Sequence, residues 1–209
     1  MLRAFRRGCT ANCLGCLLPI LALLALIGYA IHLWTTPPGY PRVEPAPAAT
    51  IELSIAKAVA HALSSGQVVA LVHLSDAEAT GLLQDSLPSY DGLDDLQVHV
   101  FQDRVVVSGE TTILHRPLVI SGPVDFGGIG KSVIKLKFAG LAIGQMSLPS
   151  LIPQALARGF HPTFSLGLVD VGRKLTFSCE AARQDDLIVG VTFAGTKLPR
   201  GANACAASS

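Results

Sequence analysis

The sequence predicts an α+β protein: an N-terminal transmembrane helix, then a curved antiparallel β-sheet wrapped on an amphipathic helix. Three observations carry this expectation. Residues 14–34, "LGCLLPILALLALIGYAIHLW", contain no Lys, Arg, Asp or Glu. Residues 75–88, "SDAEATGLLQDSLP", open like a capped helix and carry an apolar stripe at helical spacing. From residue 96 onward, runs of alternating apolar and polar residues follow one another, separated by turn residues.

Composition narrows the function classes. At 209 residues and 50% hydrophobic content, the chain has material for one domain with a core plus an appendage. A net charge of +1 gives no basic face for nucleic acid, and 6% aromatics give few platforms for base stacking. No nucleic-acid partner is expected.

The N-terminal elements read in order. As a helix, residues 14–34 span roughly 30 Å at about 1.5 Å per residue, the thickness of a bilayer's hydrocarbon core. Pro19 lies in the first turns, where a missing N–H costs least. Tyr29 and Trp34 suit the far interface, with His32 near enough to reach headgroups. Arg3, Arg6 and Arg7 make residues 1–13 a basic N-terminus that the positive-inside rule leaves in the cytosol. The expected product is a single-pass cell-membrane protein with its C-terminal domain extracytoplasmic. A cleaved signal peptide with "APA" at 46–48 as its site fits less well, because the apolar run is long and that site lies far beyond it. A lipoprotein signal also fits poorly, since the apolar run follows Cys16 instead of leading up to it.

Cys9, Cys13 and Cys16 show the spacing with which radical S-adenosylmethionine enzymes hold a [4Fe–4S] cluster. They sit between the basic cap and the apolar run, with no barrel-sized cytosolic domain beside them. Juxtamembrane thiols are the better reading. "TTPPGYPRVEPAPAAT", residues 35–50, is rich in Pro and Ala and predicts an extended, semi-rigid stalk that lifts the domain off the membrane.

The domain should occupy residues 51–200. Ile55, Ala58, Val59, Ala62 and Leu63 form one helical stripe, with Gly66 as its stop. Residues 67–74 are β-branched and short, a strand. Ser75 and Glu78 then make a capping box, the stripe Ala79, Leu82, Leu83 and Leu87 follows, and Pro88 ends the helix. Leu96, Val98 and Val100 face Val105 and Val107 across a turn at Gln102–Asp103, a β-hairpin. The next strand is interrupted by Pro117, which suggests an edge or a bulge. In residues 131–138, Ser132, Ile134, Leu136 and Phe138 take one face and Lys131, Val133, Lys135 and Lys137 the other. A short proline-punctuated helix in 147–160 and three closing strands complete a meandering sheet. Residues 201–209 read as a flexible tail. Cys179 and Cys205 are the thiols beyond the apolar run, and spacing does not decide between a bridge and two free thiols.

A sheet and helices with one greasy face each would enclose an apolar space, which accepts chains and not charges. The segments "VHLSDAEATGLLQDSLP", "VHVFQDRVVVSGE", "IKLKFAGLAIGQMSLPSLIPQAL" and "RKLTFSCEA" resemble, in kind and order, those of the LmeA-like phospholipid-binding proteins of bacterial envelopes. That family is grouped with the tubular lipid-binding (TULIP) superfamily. The likeness rests on Ser75–Glu78, Asp103–Gly109, Lys131–Phe138 and Gly144–Pro149, and covers most of residues 68–194. It implies a TULIP-like fold and a non-catalytic domain that binds or carries a phospholipid or related lipid. Leu82, Leu83, Leu87, Ile134, Leu136 and Phe138 are the expected lining of its apolar groove. The tail "GANACAASS" has no counterpart in that family.

Lys131, Lys135 and Lys137 form a basic stripe with two readings: a solvated outer face, or a surface drawing anionic headgroups at about 1 kcal/mol per basic residue. "GGIGKS" at 127–132 looks like the end of a phosphate-binding loop. The full pattern needs glycine where Asp125 stands, and Lys131 opens a strand instead of a helix. His61, His73, His99, His115 and His161 are scattered, without ligand spacing. No Gly-x-Ser-x-Gly elbow is present, and Asp94-Asp95 and Asp185-Asp186 read as solvated pairs flanking turns. No catalytic residue, metal or cofactor is expected. The alternative function is a structural envelope protein whose sheet docks a protein partner.

Overall fold

In the computed structural model the described residues are 5–87, 93–113, 115–128, 131, 133–148, 163–165, 175–193 and 205. The chain is α+β, with an apolar N-terminal helix and antiparallel sheets. Helix α1 (Phe5–Thr35) contains the stretch Leu18–Thr35, long and apolar enough to cross a membrane. Helix α2 (Ala48–Ser64) begins within the predicted stalk, three residues before the predicted domain. It ends at Gly66, whose φ of +68° is the left-handed turn that a helix stop requires. Ile51, Ile55, Val59 and Ala62 are its buried face. Leu63, predicted on that stripe, is 51% exposed.

Strand β1 (Val69–Leu74) leads into α3 (Asp76–Ser86), whose capping box forms as expected. The Glu78 backbone N–H donates to Ser75 Oγ at 3.3 Å, and the Ser75 N–H donates to Glu78 Oε2 at 3.0 Å. The predicted hairpin is β2 (Asp94–Phe101) and β3 (Arg104–Ile113), with Asp103 at φ +65° in its turn. There follow β4 (Arg116–Gly127), β5 (Val133–Phe138), β6 (Ala142–Ile143), β7 (Met146–Ser147), β8 (Thr163–Ser165), β9 (Leu175–Arg183) and β10 (Asp186–Phe193). Pro117 does not interrupt its strand. It is the second residue of a continuous twelve-residue β4, at a point where β4 pairs only with β3 among the described residues. The predicted helix in 147–160 lies largely outside the described residues.

The strands form two sheets instead of one meander. One has the order β1-β10-β9, and the other runs β2-β3-β4-β5-β8, with β6 on β4 and β7 on β6. The β9–β10 hairpin closes on β1, far away in sequence, a pairing that local alternation cannot reveal. Hairpin tips lock the sheets together: the Asp103 N–H donates to Ala182 O at 3.2 Å, and the Asp185 N–H to Val100 O at 3.1 Å. A single apolar cluster joins the buried faces of α2, α3 and both sheets.

The segment between α1 and α2 has no helix or strand, and it does not stand free as a spacer. Tyr40 stacks on His99 at 5.0 Å, Val43 N–H donates to Gln97 Oε1, and Ala46 N–H donates to Ala77 O. The end of α1 is also held: Gln145 N–H donates to Leu33 O at 2.9 Å. Gly144, at φ +57°, makes this approach feasible, since a Cβ there would run into the carbonyls of Leu33, Trp34 and Thr36. The domain therefore sits directly against the end of its apolar helix.

The described residue of the tail is Cys205, and it is tied down. Cys205 is 1% exposed and disulfide-bonded to Cys179 on β9, 26 residues away, with their Cα atoms 6.0 Å apart. Gly190 on β10 faces this bridge, and a side chain there would press on Ser178 Oγ at 2.7 Å and Cys205 Sγ at 3.1 Å.

Candidate functional site

Alternation on β5 and the helical stripe on α3 aim two sets of apolar side chains at each other. Leu82 and Leu83 from α3, with Ile134 and Leu136 from β5, line one cavity of about 30 Å³. Val98, Val105, Val107, Phe126, Leu187 and Val189 supply much of the remaining wall, so every lining side chain is apolar. Phe138 is buried in the same cluster but off the cavity. Leu87 caps the end of α3, half-buried and also off the cavity. Four of the six predicted residues are thus brought together.

At this size the cavity has room for about two water molecules, well below the ~300–1,000 Å³ of a ligand pocket. Its wall is thin in one direction. A groove of about 220 Å³ opens between α2 and α3, with Ile51, Ile55 and Leu82 among its walls and Glu52 and Asp85 beside them. Leu82 lines both spaces. Glu78 fixes the spacing of the two helices, because its Oε1 accepts from Ser54 Oγ of α2 at 2.7 Å. Burial alone would raise the Glu78 carboxyl, but the hydrogen bonds from Ser54 and Ser75 outweigh it and hold the group below its ordinary pKa.

The basic stripe lies on the other face of β5. Lys135 and Lys137 point outward and are exposed, as is Lys131 in the turn before the strand. Lys137 sits opposite Asp125 of β4 in register, so the stripe is not purely cationic. The Val133 side chain falls outside what is described.

Sequence reasoning missed a second, polar cleft on the outer face of β2 and β3. It measures about 180 Å³, and its walls include Pro37, Tyr40, Arg42, Gln97, His99, Ser108 and Glu110. Arg42 pairs with Asp95 at 2.7 Å, and His99 Nε2 lies 3.4 Å from Ser108 Oγ. Burial pushes the His99 pKa down, against a smaller opposing pull from Asp76, which keeps the imidazole neutral at pH 7. Burial raises the Asp76 carboxyl, and its Oδ1 accepts from the Val100 N–H at 3.0 Å instead of from His99. Among the described residues, no carboxylate is hydrogen-bonded to the other ring nitrogen of His99. One signal was readable: Gln97, His99 and Ser108 alternate with the core valines and are polar, yet all three are buried.

His73 is exposed and pairs with Asp186 at 2.9 Å, while His61 and His115 are also exposed. Among the described residues, no three His, Cys, Asp or Glu side chains gather closely enough to hold a metal ion. No family model, curated protein or solved structure matches the chain.

Proposed function

We propose that this chain is a membrane-anchored, extracytoplasmic domain that binds or carries a phospholipid or related lipid without catalysing a reaction. One observation carries the reading: a wholly apolar cavity lies one side chain, Leu82, away from an open groove between α2 and α3. An acyl chain inserted past Leu82 would exchange water for apolar contacts at roughly 0.8 kcal/mol per methylene. The cavity as it stands is too small for an acyl chain, so occupation requires α3 to move outward from the sheets. In this reading the sheets curve around α3 in a TULIP-like manner, and the motif resemblance to the LmeA-like family supports it. Arg3, Arg6 and Arg7 ahead of the apolar helix support a cytosolic N-terminus. The Cys179–Cys205 bridge supports an oxidising, extracytoplasmic setting for the domain. Lys131, Lys135 and Lys137 would meet anionic headgroups.

The small cavity favours a second reading, a scaffold with a closed dry core whose sheet docks an envelope protein. Leu136→Trp in the full chain separates the two, read by thermal midpoint and uptake of a fluorescent phospholipid. Uptake by the unaltered chain that weakens in Leu136→Trp supports the lipid reading. A loss of about 1–3 kcal/mol from overpacking, with no uptake by the unaltered chain, supports the scaffold.

A further inference from the structure

Helix α2 has two apolar faces, and the domain covers one. Ile51, Ile55, Val59 and Ala62 point into the core. On the opposite side Ala49, Leu53, Ala56, Ala60 and Leu63 follow at spacings of four, three, four and three residues. That is the a/d repeat of a two-stranded coiled coil. Leu53 is 54% and Leu63 51% exposed; with Val68, they are the large apolar side chains left in solvent outside α1 among the described residues. Ala56 and Ala60 between them leave room for a second helix to approach closely.

Charge identifies the occupant. Glu52 borders this seam on one flank and Lys57 on the other, and both are exposed. In heptad terms they are a g and the following e position. In a parallel pair, each g residue faces the e residue five positions on in the other helix. Glu52 of each copy then meets Lys57 of the other, twice by symmetry. An antiparallel pair would set the Glu52 flank against the Glu52 flank and the Lys57 flank against the Lys57 flank. A lipid surface would favour a predominantly basic border, which this seam lacks. We propose that the chain forms a parallel homodimer through the outer face of α2. The seam is short for a stable interface, which usually buries about 1,200–2,000 Å² in total. Confinement of both copies to one bilayer offsets part of the association penalty, so the pair belongs to the membrane and comes apart on dilution in detergent.

Oxidative crosslinking of the full chain in the membranes of expressing cells tests this. Cys9, Cys13 and Cys16 are changed to Ser, and the bonded Cys179 and Cys205 remain silent. Leu53→Cys and Leu63→Cys should each crosslink to their own kind, whereas Asp85→Cys on α3 should not. Glu52→Lys turns two attractions into two repulsions and should weaken pairing by about tenfold, and adding Lys57→Glu should restore it. These surface changes leave the thermal midpoint in place, so a lost crosslink is not lost folding. Crosslinks only between mixed Leu53→Cys and Leu63→Cys copies would mean antiparallel packing and overturn the proposal. Yields equal to those of Asp85→Cys, or indifferent to charge reversal, would overturn it as well. So would quenching, by brominated lipid, of a Leu53→Trp fluorophore in a chain whose own Trp34 is changed to Phe, which would place the seam on the bilayer.

Discussion

Leu82 and Leu83 are neighbours on α3, yet the structure assigns them different work, and truncating each to Ala exposes the difference. Leu83 is 3% exposed and wholly within the core. Leu83→Ala should cost about 3–5 kcal/mol, the transfer term plus the cavity left behind. Leu82 is half-buried, between the cavity and the groove. Its truncation removes three carbons at about 0.8 kcal/mol each when fully buried, so about 1 kcal/mol is expected. The space it leaves opens to the groove and fills with solvent, so no sealed void adds to the loss. For a chain of this size, 1 kcal/mol moves the thermal midpoint by about 2–4 °C. Leu82→Ala should therefore melt within a few degrees of the unaltered chain, and Leu83→Ala should lie at least about 6 °C lower. The same samples, delipidated in detergent, are mixed with a fluorescent phospholipid and followed by stopped flow. Leu82→Ala should take up lipid faster, because the side chain between groove and cavity is gone. Equal destabilisation by the two substitutions, with unchanged uptake, would make Leu82 an ordinary packing residue and refute the portal.

Three further outcomes are expected. Cys179→Ser opens a loop of 26 residues and should lower stability by about 3.5 kcal/mol on chain entropy, read from denaturant midpoints with and without reductant. Because burial holds His99 below its ordinary pKa, the unfolded chain binds the extra proton first. The His99 contribution is present above about pH 6.5 and declines as pH falls toward the lowered value; His99→Gln should flatten that part of the stability–pH curve. An unchanged slope would show that the imidazole does not carry the effect. Protease added to spheroplasts should remove the domain while sparing an N-terminal tag, and protection of the domain would reverse the proposed topology.

Local signals in the sequence were sound where a single element decides the structure. The capping box at Ser75 and Glu78, the stop at Gly66, the turn at Asp103 and the two faces of β5 all depend on neighbours in sequence. What escaped was set by partners far away. The short apolar run in residues 187–193 marks a strand but does not say that β1, more than a hundred residues earlier, is its neighbour. Pro117 looked disruptive because the pattern does not show which flank of β4 stands unpaired. The Pro-rich segment looked like a spacer because Tyr40 and Val43 find His99 and Gln97 only once β2 exists. Cys205 seemed frayed in a small-residue tail until the bridge to Cys179 held it. The two facing apolar stripes were legible, but the size of the space between them was not. Alternation tells which way side chains point, and packing alone determines how much space they leave.

The central claim is that the apolar interior holds a lipid. Native mass spectrometry of the full chain, released from a mild detergent micelle after extensive washing, weighs that claim directly. The account predicts a retained mass of one phospholipid per chain that falls away in Leu136→Trp. A folded chain with the Cys179–Cys205 bridge intact and no retained lipid, even after incubation with phospholipid vesicles, would contradict it.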